Sequence, residues 1–188
     1  MCIRDSCYDA EEKEELAIFI DSKGLKPVKI LLTHAHIDHV LGINFLAGKY
    51  GLPIVMNSIE TELLKSASIY GQMWGIQVEP APDPQEFLKD GDTFTFGKTE
   101  LEVLFTPGHS PGSLSFYHRP TKQLIAGDVL FYGSIGRTDL PGGNFETLEK
   151  SIRTKLYTLE DDVIVYSGHG QSTTIGHEKR TNPFVNFV

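Results

Sequence analysis

The chain has 188 residues, 40% hydrophobic and 22% charged, an ordinary globular usage that leaves no case for disorder, a collagen-like fibre or a coiled coil. Its length suits one domain of roughly 100 to 200 residues, and no run approaches the ~18 apolar residues of a membrane span. A formal net charge of −8 repels phosphate backbones and anionic lipid alike, so neither nucleic acid nor a membrane surface is expected as a partner. Cys2 and Cys7, the only cysteines, are too close together for a structural disulfide, and Cys7 reads as a free thiol.

Short apolar runs alternate with helical patterns along the chain. Asp9 and Glu12 resemble a capping box for a first helix in which Leu16, Phe19 and Ile20 recur at helical spacing up to Gly24. Val28 to Thr33 follows Pro27 and reads as a buried strand, so that His34 begins a loop. A helix over Val40 to Tyr50 stops at Gly51, Pro53 to Met56 gives a short strand, and Asn57 with Glu60 caps a helix to about Tyr70. Gly71 to Gly91, rich in proline, predicts a long irregular connection that could close over a site.

From Asp92 the pattern turns to period two. Thr93 to Phe96, Leu101 to Thr106, Ser113 to His118 and Gln123 to Ala126 predict an antiparallel meander. A helix over Phe145 to Leu159, with Leu148, Ile152 and Leu156 on one face, leads to a strand at Val163 to Tyr166 and the loop Ser167-Gly168-His169-Gly170. Sheets with helices packed outside predict a layered α/β or α+β domain.

Chemistry concentrates in His34-Ala35-His36-Ile37-Asp38-His39. Imidazole nitrogen and carboxylate oxygen suit zinc and similar divalent ions, and four such groups beside a strand end have no packing rationale. In extended chain His34 and His36 share a side, while Asp38 and His39 turn toward an adjacent position, so one loop could serve two metals. His109, Asp128 and His169 also lie just past strand ends, each beside a glycine: Gly108, Gly127 and Gly168. His118 reads as a surface residue. His177, among Glu178, Lys179 and Arg180, reads as solvated or ion-paired, with the substrate rim as its alternative.

These residues resemble the metallo-β-lactamase superfamily, whose His-x-His-x-Asp-His signature stands at His34 to His39 and whose later ligands stand at His109, Asp128 and His169. The resemblance implies an αββα sandwich holding two divalent ions, zinc first, with iron or manganese as alternatives. One ion would take His34, His36 and His109, the other Asp38, His39 and His169, with Asp128 bridging both. Thr106 to Gly112 and Gly133 to Asp139 resemble the glyoxalase II-like (hydroxyacylglutathione hydrolase-like) hydrolases. That implies hydrolysis of small S-acyl-thiol substrates such as S-lactoylglutathione, with Asp38 orienting a water and Arg137 meeting a substrate carboxylate. Pairing with Asp139 would equally account for Arg137.

Full-length glyoxalase II carries a C-terminal helical domain and a tyrosine where this chain has Gln171. The chain instead resembles short single-domain relatives ending in Thr173-Thr174-Ile175-Gly176 and Arg180-Thr181-Asn182-Pro183-Phe184. The same resemblance implies about three further N-terminal strands ending in Asp-Pro-Gly. Only Cys7-Tyr8-Asp9 of that region is recognisable, so 7–188 is expected to be the hydrolase domain, 1–6 junction residues, and the chain N-terminally truncated, with lower solubility or activity in consequence. The rival reading is a persulfide dioxygenase with one iron, on His34, His109 and Asp128; a β-lactamase, a ribonuclease Z-like nuclease and an impaired metal-binding fragment rank lower. Cytoplasm is the default compartment, and the oligomeric state is left open.

Overall fold

A computed structural model describes residues 9–186. Cys2, Cys7 and the expected junction residues lie outside them. Contacts divide the described chain into two units, 9–87 and 88–186.

In the first unit, α1 (Ala10–Ser22) begins at Asp9, whose side chain accepts the Glu12 N–H at 2.8 Å. Leu16, Ala17 and Ile20 are its buried face. The Val28 to Thr33 run pairs over only two residues, β1 (Ile30–Leu31), against its parallel partner β2 (Ile54–Met56). The expected helix over Val40 to Tyr50 starts earlier and is broken. α2 (Ile37–Val40) and α3 (Ile43–Tyr50) are separated at Leu41-Gly42, where glycine weakens a helix interior.

Asn57 caps as expected, but it starts a 3₁₀ turn over Ser58–Glu60 that precedes α4 (Thr61–Met73). The Gly71 to Gly91 connection therefore opens within a helix, and near its end β3 (Glu86–Phe87) adds a third strand parallel to β2. Ile54, Val55 and Met56 are fully buried, with Ile30, Leu32, Leu64 and Ala67 packed in the same unit.

In the second unit the meander forms as its period-two pattern predicts. β4 (Thr93–Phe96), β5 (Thr99–Phe105), β6 (Leu114–His118) and β7 (Gln123–Gly127) pair antiparallel in sequence order. A small hairpin, β8 (Leu130–Phe131) with β9 (Ser134–Ile135), follows. The expected helix over Phe145 to Leu159 is α-helical only as α5 (Phe145–Ser151) and widens into a π turn over Ile152–Leu156. Its apolar stripe still holds, since Leu148, Ile152 and Leu156 are fully buried.

β10 (Ile164–Ser167) returns parallel to β7, and β11 (Thr173–Thr174) adds an antiparallel edge, giving the order β11-β10-β7-β6-β5-β4. α6 (Ile175–Thr181) closes the described chain. Among the described residues no helix is long and apolar enough to cross a membrane.

Candidate metal centre

β1 ends at Leu31, and Thr33 to His36 run as loop before α2 begins with His36 as its extended N-cap. Asp38 and His39 fall in the first turn of α2. The imidazoles of His34 and His36 meet edge to face at 4.8 Å between centroids, and those of His34 and His39 lie 4.1 Å apart. Asp38 Oδ2 is 3.5 Å from His39 Nε2. His34 is buried, whereas the Asp38 side chain keeps 46% of its surface, enough to meet a molecule arriving from solvent.

Glu60 supports this loop, a role that sequence reading gave to helix capping. It is fully buried, and its Oε2 accepts the N–H of Ala35, between two of the histidines, at 2.8 Å. A carboxylate held out of water is costly unless it accepts such bonds. Its structural effect is to fix the peptide from which His34 and His36 project.

In the second unit two histidines gather on one carboxylate. Asp128, directly after β7, places Oδ2 3.6 Å from His109 Nε2 and 3.3 Å from His169 Nε2. The protonation of His109 follows from its other nitrogen. Nδ1 lies 2.8 Å from the carbonyl oxygen of Arg137, which can only accept, so Nδ1 carries the hydrogen and Nε2 keeps the lone pair that a metal needs. His34 Nδ1 is similarly engaged by the Thr33 hydroxyl at 3.1 Å.

The backbone around His109 is tightly held. Gly108 has φ +130, and a Cβ there would lie 2.3 Å from the backbone nitrogen of Leu148 in α5. The Ser151 hydroxyl of the same helix donates to Pro107 O at 2.7 Å. Gly127 also adopts positive φ, at +54, but Gly168 does not, so only two of the three ligand-adjacent glycines are required by backbone conformation.

The remaining polar residues separate from this set. His118 pairs through Nδ1 with the Thr121 hydroxyl at 2.6 Å and sits at the end of β6. His177 stacks on Tyr132. Arg137 makes a two-pronged pair with Asp139, Nε to Oδ1 and Nη2 to Oδ2, both at 2.8 Å. That hydrogen bond holds the Asp139 carboxyl down to about 2.

The donor set fits divalent metal: borderline imidazoles and hard carboxylates, with Nδ1 of His34 and of His109 already engaged by other groups. Comparison with known proteins agrees. The profile of the Metallo-beta-lactamase superfamily matches residues 7–169. The chain is 44% identical over 176 residues to the probable metallo-hydrolase YqgX of Bacillus subtilis (strain 168), covering 93% of this chain and 83% of that one. It is 42% identical over 177 residues to the hydroxyacylglutathione hydrolase GloC of Haemophilus influenzae, covering 93% and 84%. The crystal structure of TTHA1623 in a di-iron-bound form superposes with a TM-score of 0.86 at 39% identity, over 94% of this chain and 86% of that one. The chain thus belongs to the metallo-beta-lactamase superfamily, with its mixed α/β fold and the histidine and aspartate residues of a metal-dependent hydrolase.

Proposed function

We propose that this protein is a binuclear metal-dependent thioesterase of the glyoxalase II type. The observation that carries the reading is the pair of histidines, His109 and His169, brought onto Asp128 with the His109 tautomer fixed by Arg137 O. In this reading His34, His36 and His109 hold one ion, Asp38, His39 and His169 the other, and Asp128 joins them. Zinc is the proposed metal; similarity to a protein crystallised with two irons supports iron as the substitute.

Bound ions of this kind supply an activated water at neutral pH and an electrophile for a carbonyl oxygen. The residues of the chain do the rest. Asp38, half-exposed, accepts the remaining hydrogen of the attacking water and aligns it with the thioester carbonyl. A thiol of pKa about 8.5 leaves as thiolate with little help, so no dedicated acid is required near the leaving sulfur. Arg137 binds a carboxylate remote from the reacting carbon. Similarity to a hydroxyacylglutathione hydrolase supports a small S-acyl thiol as substrate.

The test is thiol release from a thioester panel, S-lactoylglutathione included, with and without chelator. Activity abolished by chelator, by Asp128→Ala and not by His118→Ala is expected. A single bound iron with oxygen uptake during turnover would move the assignment to the persulfide dioxygenase reading, and equal losses in the two variants would overturn the ligand set.

A further inference from the structure

Tyr132 stands directly after β8 and is 51% exposed. Its ring lies parallel to that of His177, at 4.9 Å between centroids and 13° between planes. The two residues are distant in sequence, and one buried group brings them together. Glu178, fully buried, accepts the N–H of Gly133 at 3.1 and 3.2 Å, the hydroxyl of Thr173, and the side-chain amide of Asn182 at 2.8 Å. The same Asn182 amide donates to Ser134 O at 3.0 Å. One carboxylate therefore ties the residue after Tyr132 to the residue after His177.

A buried carboxylate is costly, and here the bonds it accepts tie the turn of the β8–β9 hairpin at Gly133 to Thr173 of β11 and to Asn182 just after α6. The product of that arrangement is a pair of aromatic rings whose backbones cannot move independently. His177 lies against one face of Tyr132, and Tyr132 nevertheless keeps 51% of its surface exposed. Phe131, the preceding residue, meets the His169 ring at 6.2 Å, edge to face. A dipeptide thus leads from a proposed metal ligand to an open, pre-ordered π surface, and five residues further on the same segment presents Arg137.

We propose that Tyr132 and His177 form a stacking platform that recognises a planar, unsaturated group on the thiol carrier of the substrate. Glu178 and Asn182 are its positioning residues. The substrate class is then an S-acyl thiol whose thiol part bears both a flat π group and a carboxylate. This rests on the thioesterase reading for its place in turnover, but the platform can be tested by binding alone.

Ligand-observed saturation-transfer NMR with S-phenylcysteine and S-ethylcysteine, two thioethers that cannot be hydrolysed, gives the binding readout. The zinc-loaded protein is expected to transfer saturation chiefly to the phenyl protons, with transfer lost in Tyr132→Leu and in His177→Leu and kept in Tyr132→Phe. In turnover, the ratio of KM for S-ethyl thioacetate to KM for S-phenyl thioacetate is expected to fall about three- to tenfold in Tyr132→Leu, the range a ring-on-ring contact supplies. No preference for the phenyl compound in the wild type, or a preference that survives both leucine variants, overturns the platform. Phenyl preference without hydrolysis of any thioester would leave the platform standing and remove the thioesterase reading.

Discussion

The Nδ1–H of His109 donates to the carbonyl oxygen of Arg137, so the loop that carries the Arg137 guanidinium also sets the tautomer of a proposed metal ligand. The preceding residue allows no side chain. A Cβ on Gly136 would lie 1.9 Å from Asp128 O and 3.1 Å from His109 Nδ1.

Gly136→Ala must therefore displace the backbone of Asp128 or the ring of His109. Loss of an outer partner of a metal ligand typically weakens metal binding about 10- to 100-fold. Competition with a chromophoric chelator should show at least that loss in Gly136→Ala. Wild-type affinity would mean that the Arg137 carbonyl does not hold His109.

Glu60 provides a test in the first unit. Glu60→Gln keeps an acceptor for Ala35 N–H, whereas Glu60→Leu leaves that buried amide unsatisfied at a cost of about 1 to 3 kcal/mol. For a chain of this size that is a Tm lower by about 2 to 12 °C. Melts of the metal-free variants are the measurement, because bound metal would add its own stabilisation. Equal Tm for Leu and wild type would show that the bond contributes nothing.

Much of this was legible in the sequence because it is written locally. The proposed ligand motif occupies six consecutive residues, and the meander shows its alternation from Thr93 to Ala126. The features that escaped are those in which distant residues decide. The Val28 to Thr33 run has the composition of a longer strand, but it pairs with β2 only at Ile30 and Leu31. Glu60 has the spacing of a helix cap and instead reaches Ala35. No pattern signals that Glu178 would bring His177 against Tyr132, and the π turn after Ser151 leaves the apolar stripe of its helix unchanged.

If Arg137 binds a substrate carboxylate as proposed, Asp139 competes with substrate for its guanidinium, and that competition can be measured. Hydrogen bonding to Arg137 holds Asp139 down to about 2, so the pair is present above the ordinary carboxylate range and is lost only as pH falls through that value. Asp139 is then ionised at any practical assay pH and occupies the guanidinium. Asp139→Asn should lower KM for an anionic thioester, Arg137→Ala should raise it with little change in kcat, and the Asp139 effect should be constant from about pH 5 to about pH 9. An unchanged KM in both variants would leave Arg137 with the ion pair as its only role.

The central claim, a two-metal thioester hydrolase, is tested most directly by titrating zinc into metal-free protein while following thiol release from S-lactoylglutathione. The account predicts activity that rises to a plateau at two equivalents per chain. A plateau at one equivalent, or metal binding with no thioester hydrolysis at all, would contradict it.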